Sequence, residues 1–215
     1  MRNEMSGTAL APALWPASVN PVVRNVLLVV AGVGLLTLSA KINVLREPVP
    51  ITLQTFAVML IAASYGSRLA VATVVTYLVA GLAGLPVFAN TMNAGPAYMM
   101  GTTGGFLVGF IALAFIVGYA ADRGWDRSLL KIGAAMIIAD VVVFAMGFAW
   151  LSWFAHLSPG LMALLNVAEG TTGTGASFAW QQGIVPFIIA DLVKIALASC
   201  AVVAGWRLMD RRTAL

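Results

Sequence analysis

Asp191 and Lys194 stand three residues apart in an apolar run near the C-terminus, and Asp140 stands in another, within Ile138-Ala139-Asp140-Val141-Val142. Helical residues at that spacing lie on nearly one face, so Asp191 and Lys194 can meet each other or grip a shared polar ligand. In hydrocarbon an ionisable group costs at least ~2.5–3.5 kcal/mol on insertion scales, so all three need a compensating role. For Asp191 and Lys194 the plainer role is an ion pair that only ties helices together. For Asp140 it is a hydrogen-bonded or protonated packing carboxyl, set against the sharper reading as an intramembrane polar site. Catalytic chemistry is poorly served. The one histidine, His156, falls in a stretch read as an outward loop and is expected at the surface. There is no His-Glu-x-x-His, no Gly-rich loop ending in Gly-Lys-Ser/Thr, and no nucleophile paired with a base. No catalytic residue, metal site or cofactor is therefore assigned. Cys200 cannot form an internal disulfide and is expected to be a buried small residue.

The elements that must hold these residues are membrane helices. Of 215 residues, 61% are hydrophobic and only 9% charged, against ~25% charged in soluble domains. A bilayer span uses ~20 apolar residues, and six apolar runs occur, at about 22–40, 51–65, 69–85, 103–121, 129–151 and 183–208. The expected architecture is an all-α integral membrane protein: a tail over 1–21, a bundle of six transmembrane helices over 22–208, and a tail over 209–215. Nothing is left over in these residues for a soluble ATPase, kinase or DNA-binding module. The second and third runs are short and are bounded by Pro48, Pro50 and Pro86. Leu38-Ser39-Ala40 weakly imitates a signal-peptidase site, but the run before it is already span length, so it is read as a retained helix.

Charge sets the orientation. Arg2, Arg24, Arg68, Arg123, Arg127, Lys131, Arg207, Arg211 and Arg212, nine of the twelve basic residues, fall on one side of such a bundle, against Lys41 and Arg46 on the other. Basic residues are retained in the cytoplasm, so both termini are expected there. The formal charge of +4 thus reads as topology and not as a nucleic-acid surface. The opposite loops, 86–102 and 152–182, hold no Lys or Arg and are rich in Gly, Thr, Asn and Ser, as expected of lids over an outward cavity. Gly105 with Gly109, and Ala80 with Gly84, stand four apart and are expected to let helices pack closely, within the bundle or against another subunit. Trp125, Trp150 and Trp153 fit the interfacial belt.

Four stretches carry a resemblance. Residues 47–58 read Glu-Pro-Val-Pro-Ile-Thr-Leu-Gln-Thr-Phe-Ala-Val, residues 82–89 Leu-Ala-Gly-Leu-Pro-Val-Phe-Ala, and residues 101–110 Gly-Thr-Thr-Gly-Gly-Phe-Leu-Val-Gly-Phe. The last helix carries Pro186-Phe187 followed by Asp191-Leu192-Val193-Lys194. In order and spacing these resemble the BioY family, the biotin-binding S components of energy-coupling-factor (ECF) transporters. The family implies capture of biotin at a bacterial cytoplasmic membrane, with a transmembrane T component and two ABC ATPases as partners that supply the energy. It also implies a site: Asp191 and Lys194 first, then Asn90 and Gln54, completed by Asn93 and Thr52, with Tyr98 and Thr103 as lid or floor. Thr102 stands in place of the usual proline and Ala190 in place of the usual glycine. The loop Asn90-Thr91-Met92-Asn93-Ala94-Gly95 is more polar than the family's, which leaves open the asparagine that faces ligand. Ala31, Gly32 and Gly34 do not form the Ala-x-x-x-Ala docking pattern on the first helix, so the docking face is open too, as is a homo-oligomer. A solitary ion-coupled carrier, an intramembrane enzyme using Asp140 and a structural subunit are the competing classes.

Overall fold

Helix boundaries in the computed structural model follow the prolines, glycines and short polar residues. The structure describes residues 10–13, 19–44, 48–89, 95–157 and 175–213. A short α1 (Leu10–Ala13) precedes α2 (Pro21–Lys41), which starts with proline at its first turn and the Asn20 side chain accepting from the Val22 N–H at 2.8 Å. Then come α3 (Gln54–Tyr65), α4 (Ser67–Leu82), a single turn α5 (Pro96–Met99) and α6 (Gly104–Asp122). A 3-10 turn (Trp125–Arg127) leads into α7 (Leu129–Leu157), and α8 (Gly175–Gly183) runs into α9 (Val185–Thr213). Among the described residues, strand pairing is limited to one isolated bridge, Asn43 with Thr52.

All six expected apolar runs are helical. Four stretches, Pro21–Lys41, Gly104–Asp122, Leu129–His156 and Gly175–Asp210, are long and apolar enough to cross a bilayer, while Gln54–Tyr65 and Ser67–Leu82 are shorter. At ~1.5 Å per residue, α3's 12 residues reach only about 18 Å. Its outer end is therefore extended chain, residues 48–53, which leaves room beside it. Gly66, at φ 77, turns α3 directly into α4.

The core centres on α6, which packs against α7, α3 and α4; α2 lies at the edge against α4 and α3, and α9 closes the other side against α3 and α7. Leu36, Met59, Tyr77, Phe88, Leu113, Met136, Val143 and Leu151 are fully buried in it. Outward faces are apolar as well, with Val22, Val30, Leu38, Ile189 and Leu197 exposed, as lipid contact requires.

Gly105 and Gly109 do pack α6 onto α7: a Cβ at Gly105 would lie 2.7 Å from the Met146 carbonyl, and one at Gly109 3.1 Å from the Val143 Cα. Three expectations need correction. Gly84 is not part of a packing pair with Ala80, because α4 ends at Leu82 and Gly84 sits at φ 92 in the following turn with no neighbour near its Cα. The expected 152–182 loop is helical at both described ends, α7 running on to Leu157 and α8 starting at Gly175; His156 is exposed, but on helix. Cys200 is exposed on the outer face of α9, one position past the buried Ser199.

Candidate substrate-binding cleft

The short α3 leaves a cleft between α3, α6, α7 and α9. Extended residues Val49 and Pro50 form part of its wall, and Tyr98 of α5 reaches it from above. Its empty volume is about 480 Å³ with the open mouth included, inside the ~300–1,000 Å³ range of small-ligand pockets. Phe106, Phe110, Phe144, Phe187, Leu107 and Val143 make most of the lining apolar.

At one side stands a buried polar triad. Lys194 Nζ donates to Asp191 Oδ1 at 2.5 Å and to Thr55 Oγ1 at 3.1 Å, and Thr55 Oγ1 donates to Asp191 Oδ1 at 3.0 Å. Asp191 is 1% exposed and Lys194 7%. The i, i+3 spacing on α9 makes the ion pair, and α3 contributes the hydroxyl that fixes both ends. Asp191 Oδ2 is buried with no hydrogen-bond partner among the described residues. An unmatched carboxylate oxygen in a dry wall is a strong acceptor aimed at a donor yet to arrive.

A second polar group sits where the extended chain enters α3. Thr52 Oγ1 accepts from the Gln54 N–H at 3.1 Å and donates to Gln54 Oε1 at 3.1 Å. Gln54 Nε2 donates to the Tyr77 hydroxyl at 2.9 Å. Above it, Tyr98 stacks on Phe88 with ring centroids 4.8 Å apart, Lys41 Nζ donates to the Phe88 carbonyl at 2.5 Å, and Thr102 Oγ1 donates to the Pro48 carbonyl at 2.5 Å. Trp150 Nε1 donates to the Gly101 carbonyl at 2.8 Å, pinning the start of α6 to α7.

Asp191, Lys194, Gln54, Thr52, Tyr98 and Thr103, six of the eight expected ligand residues, thus line one cleft. Asn90 and Asn93 lie outside the described residues. Asp140 does not line the cleft: it is 5% exposed on α7, one turn before Val143 and Phe144, with Oδ1 unpartnered among the described residues. It is electrostatically coupled to Asp191 and Lys194. Sequence reasoning left Thr55, Tyr77 and the phenylalanine wall without roles. Thr55 had a usable signal, as a second hydroxyl one turn beyond Thr52 in an otherwise apolar helix. Tyr77 had none, because its partners are distant in sequence.

A sequence model described as the BioY family matches residues 5–211. The chain belongs to the BioY family. Among its relatives, the "Probable biotin transporter BioY" of Pyrococcus horikoshii is 32% identical over 175 residues, 81% of this chain and 91% of that protein. The "Biotin transporter BioY" of Thermotoga maritima is also 32% identical, over 174 residues, 80% of this chain and 90% of that protein. A crystal structure at 2.1 Å of "the S-component for biotin from an ECF-type ABC transporter" superposes with a TM-score of 0.68 at 20% identity, covering 91% of this chain and 95% of that one. This BioY-family chain is therefore a multi-pass membrane protein with the S-component fold, and the Asp191–Lys194 pair lies on its last helix beside the cleft.

Proposed function

We propose that this chain captures biotin for uptake, as the substrate-binding S component of an ECF-type ABC transporter. The observation that carries the reading is the triad of Asp191, Lys194 and Thr55 at the wall of an otherwise aromatic cleft, with Asp191 Oδ2 still unmatched. Biotin offers two ureido N–H donors, one carbonyl acceptor, an apolar thioether ring with an alkyl chain, and a carboxylate. Asp191 Oδ2 accepts a ureido N–H, Lys194 donates to the carbonyl or the carboxylate, and Phe106, Phe110, Phe144 and Phe187 enclose the apolar ring. Gln54, Thr52 and Thr103 extend the hydrogen bonding, Tyr98 covers the mouth, and Asn90 and Asn93 complete the outer side. The names of the relatives at 32% identity support biotin as the ligand.

In this reading the bundle has six membrane helices over 22–208, α3 and α4 serving as a short pair, and both tails are in the cytoplasm of a bacterial cell. Orientation is supported by the clustering of Arg68, Arg123, Arg127 and Arg207 at one end, where Ser67 meets Asp122 and Trp206 meets Asp126. Energy comes from a T component and two ABC ATPases docked at that membrane. The test is equilibrium binding of biotin to detergent-purified chain with desthiobiotin as competitor. Saturable binding is expected, and its absence removes the proposal.

A further inference from the structure

We propose that Tyr77 is a positioning residue for the binding site: it fixes the Gln54 amide and ties that amide to the lip of the cleft at Val87 and Phe88. The inference rests on biotin, proposed above, as the ligand by which it is read.

Tyr77 is fully buried in α4, so its hydroxyl must find partners within the protein. It has two of opposite kind. The Val87 carbonyl, 3.0 Å away, can only accept, so the phenol proton points to it. The oxygen of Tyr77 is then left as an acceptor and takes an N–H from Gln54 at 2.9 Å. This settles which end of the Gln54 amide faces which way, since a glutamine amide alone has no preferred sense. Its NH₂ faces Tyr77, and its Oε1 takes the Thr52 hydroxyl at 3.1 Å. Gln54 keeps one N–H and one carbonyl lone pair, an adjacent donor and acceptor that complement the edge of a cyclic urea.

The same tyrosine supports the lip. Phe88 meets the Tyr77 ring edge-on at 5.5 Å and stacks on Tyr98, which lines the cleft. Gly81 makes this seat possible: a Cβ there would fall 2.1–2.7 Å from three Phe88 ring atoms. Polar wall and aromatic lip therefore share one fixed point.

The test is a double-mutant cycle on biotin affinity with the full chain in detergent, monodispersity and thermal midpoint being checked for each variant. Tyr77→Phe keeps the ring and removes the hydroxyl; it is expected to weaken biotin by about fivefold to tenfold, the size of one neutral hydrogen bond. In a Gln54→Ala background the same change is expected to cost less than about twofold, because a residue acting through Gln54 has nothing left to position. Equal weakening in both backgrounds, or none in the wild type, overturns the proposal while leaving biotin as the ligand. A wild-type chain that does not bind biotin removes the ligand and this inference together. Should Tyr77→Phe fail to fold, Gly81→Ala displaces Phe88 without touching the hydroxyl. Its effect on affinity is expected to shrink in the Gln54→Ala background as well, and additivity there overturns the coupling.

Discussion

Two ends of the bundle use aspartates differently. At the basic end, Asp122 accepts from the Ser67 N–H at 3.0 Å and the Ser67 hydroxyl at 2.5 Å, capping α4 from the neighbouring α6. Four residues on, Asp126 accepts the Trp206 indole N–H at 2.6 Å, and Arg127 lies 4.2 Å from the centre of that indole ring. Backbones there touch closely, a Cβ at Gly118 falling 2.5 Å from the Ser67 Cα. Neither carboxylate keeps a buried oxygen without a partner, whereas toward the cleft both Asp191 and Asp140 do, among the described residues. A carboxylate that holds helices together is consumed by the fold. One that binds ligand is held at one oxygen and left open at the other.

The comparison breaks most visibly at Lys194. Lys194→Met leaves Asp191 buried beside Thr55 alone, and stranding a buried charge costs ~3–5 kcal/mol. Biotin affinity is expected to fall by about 100-fold or more by equilibrium titration, with a lowered thermal midpoint that Asp191→Asn in the same chain partly restores. Affinity within threefold of wild type would show that the pair only ties α9 to α3. The opposite signature is expected at the basic end. Trp206→Phe removes the indole donor from buried Asp126, a loss of ~1–3 kcal/mol or about 3–10 °C in thermal midpoint, with an unchanged biotin dissociation constant.

Much of this contrast was legible in the chain, for a definable reason. Asp191 and Lys194 announce themselves because charge in an apolar run has few explanations, and their spacing puts them on one face whatever the rest of the fold does. Helix runs and basic-residue sidedness are equally local signals. The cleft's wall was not legible, because Phe106, Phe144 and Phe187 look like any lipid-facing or core aromatic until α6, α7 and α9 are placed. Thr55 joins the triad from 136 residues away in sequence, and Tyr77 joins Gln54 from 23 away. Gly84 and Cys200 failed for the same cause: spacing names a helix face only while the helix continues, and burial depends on which face the neighbours cover.

Acidity sharpens the comparison further. Burial raises the Asp126 carboxyl above its ordinary range, against the Trp206 hydrogen bond and the nearby Arg127 charge, which lower it. The folded state thus holds a proton that the unfolded chain has already lost. That stabilisation is fully present below the ordinary carboxylate range and disappears as pH rises through the folded value. Thermal midpoints of wild type and Asp126→Asn followed upward from about pH 4 are therefore expected to differ by an amount that changes with pH, the wild type losing ground relative to the variant. A constant gap would mean that Asp126 is ionised throughout.

The smallest effect is expected at Asp140, and it is the most exacting test of what an unmatched oxygen means. Asp140 shares with Asp191 a buried carboxylate and a free oxygen, yet it does not line the cleft. Asp140→Asn removes a negative charge that attracts Lys194 and repels Asp191, both coupled to it, and the two changes oppose each other. Biotin affinity is expected to stay within about threefold of wild type, because no ligand contact is lost, while the thermal midpoint stays level or rises as a buried charge is deleted. A fall beyond about tenfold, more than one ordinary hydrogen bond supplies, would place Asp140 in contact with ligand. The cleft would then extend a full turn further along α7, toward the end where the arginines lie.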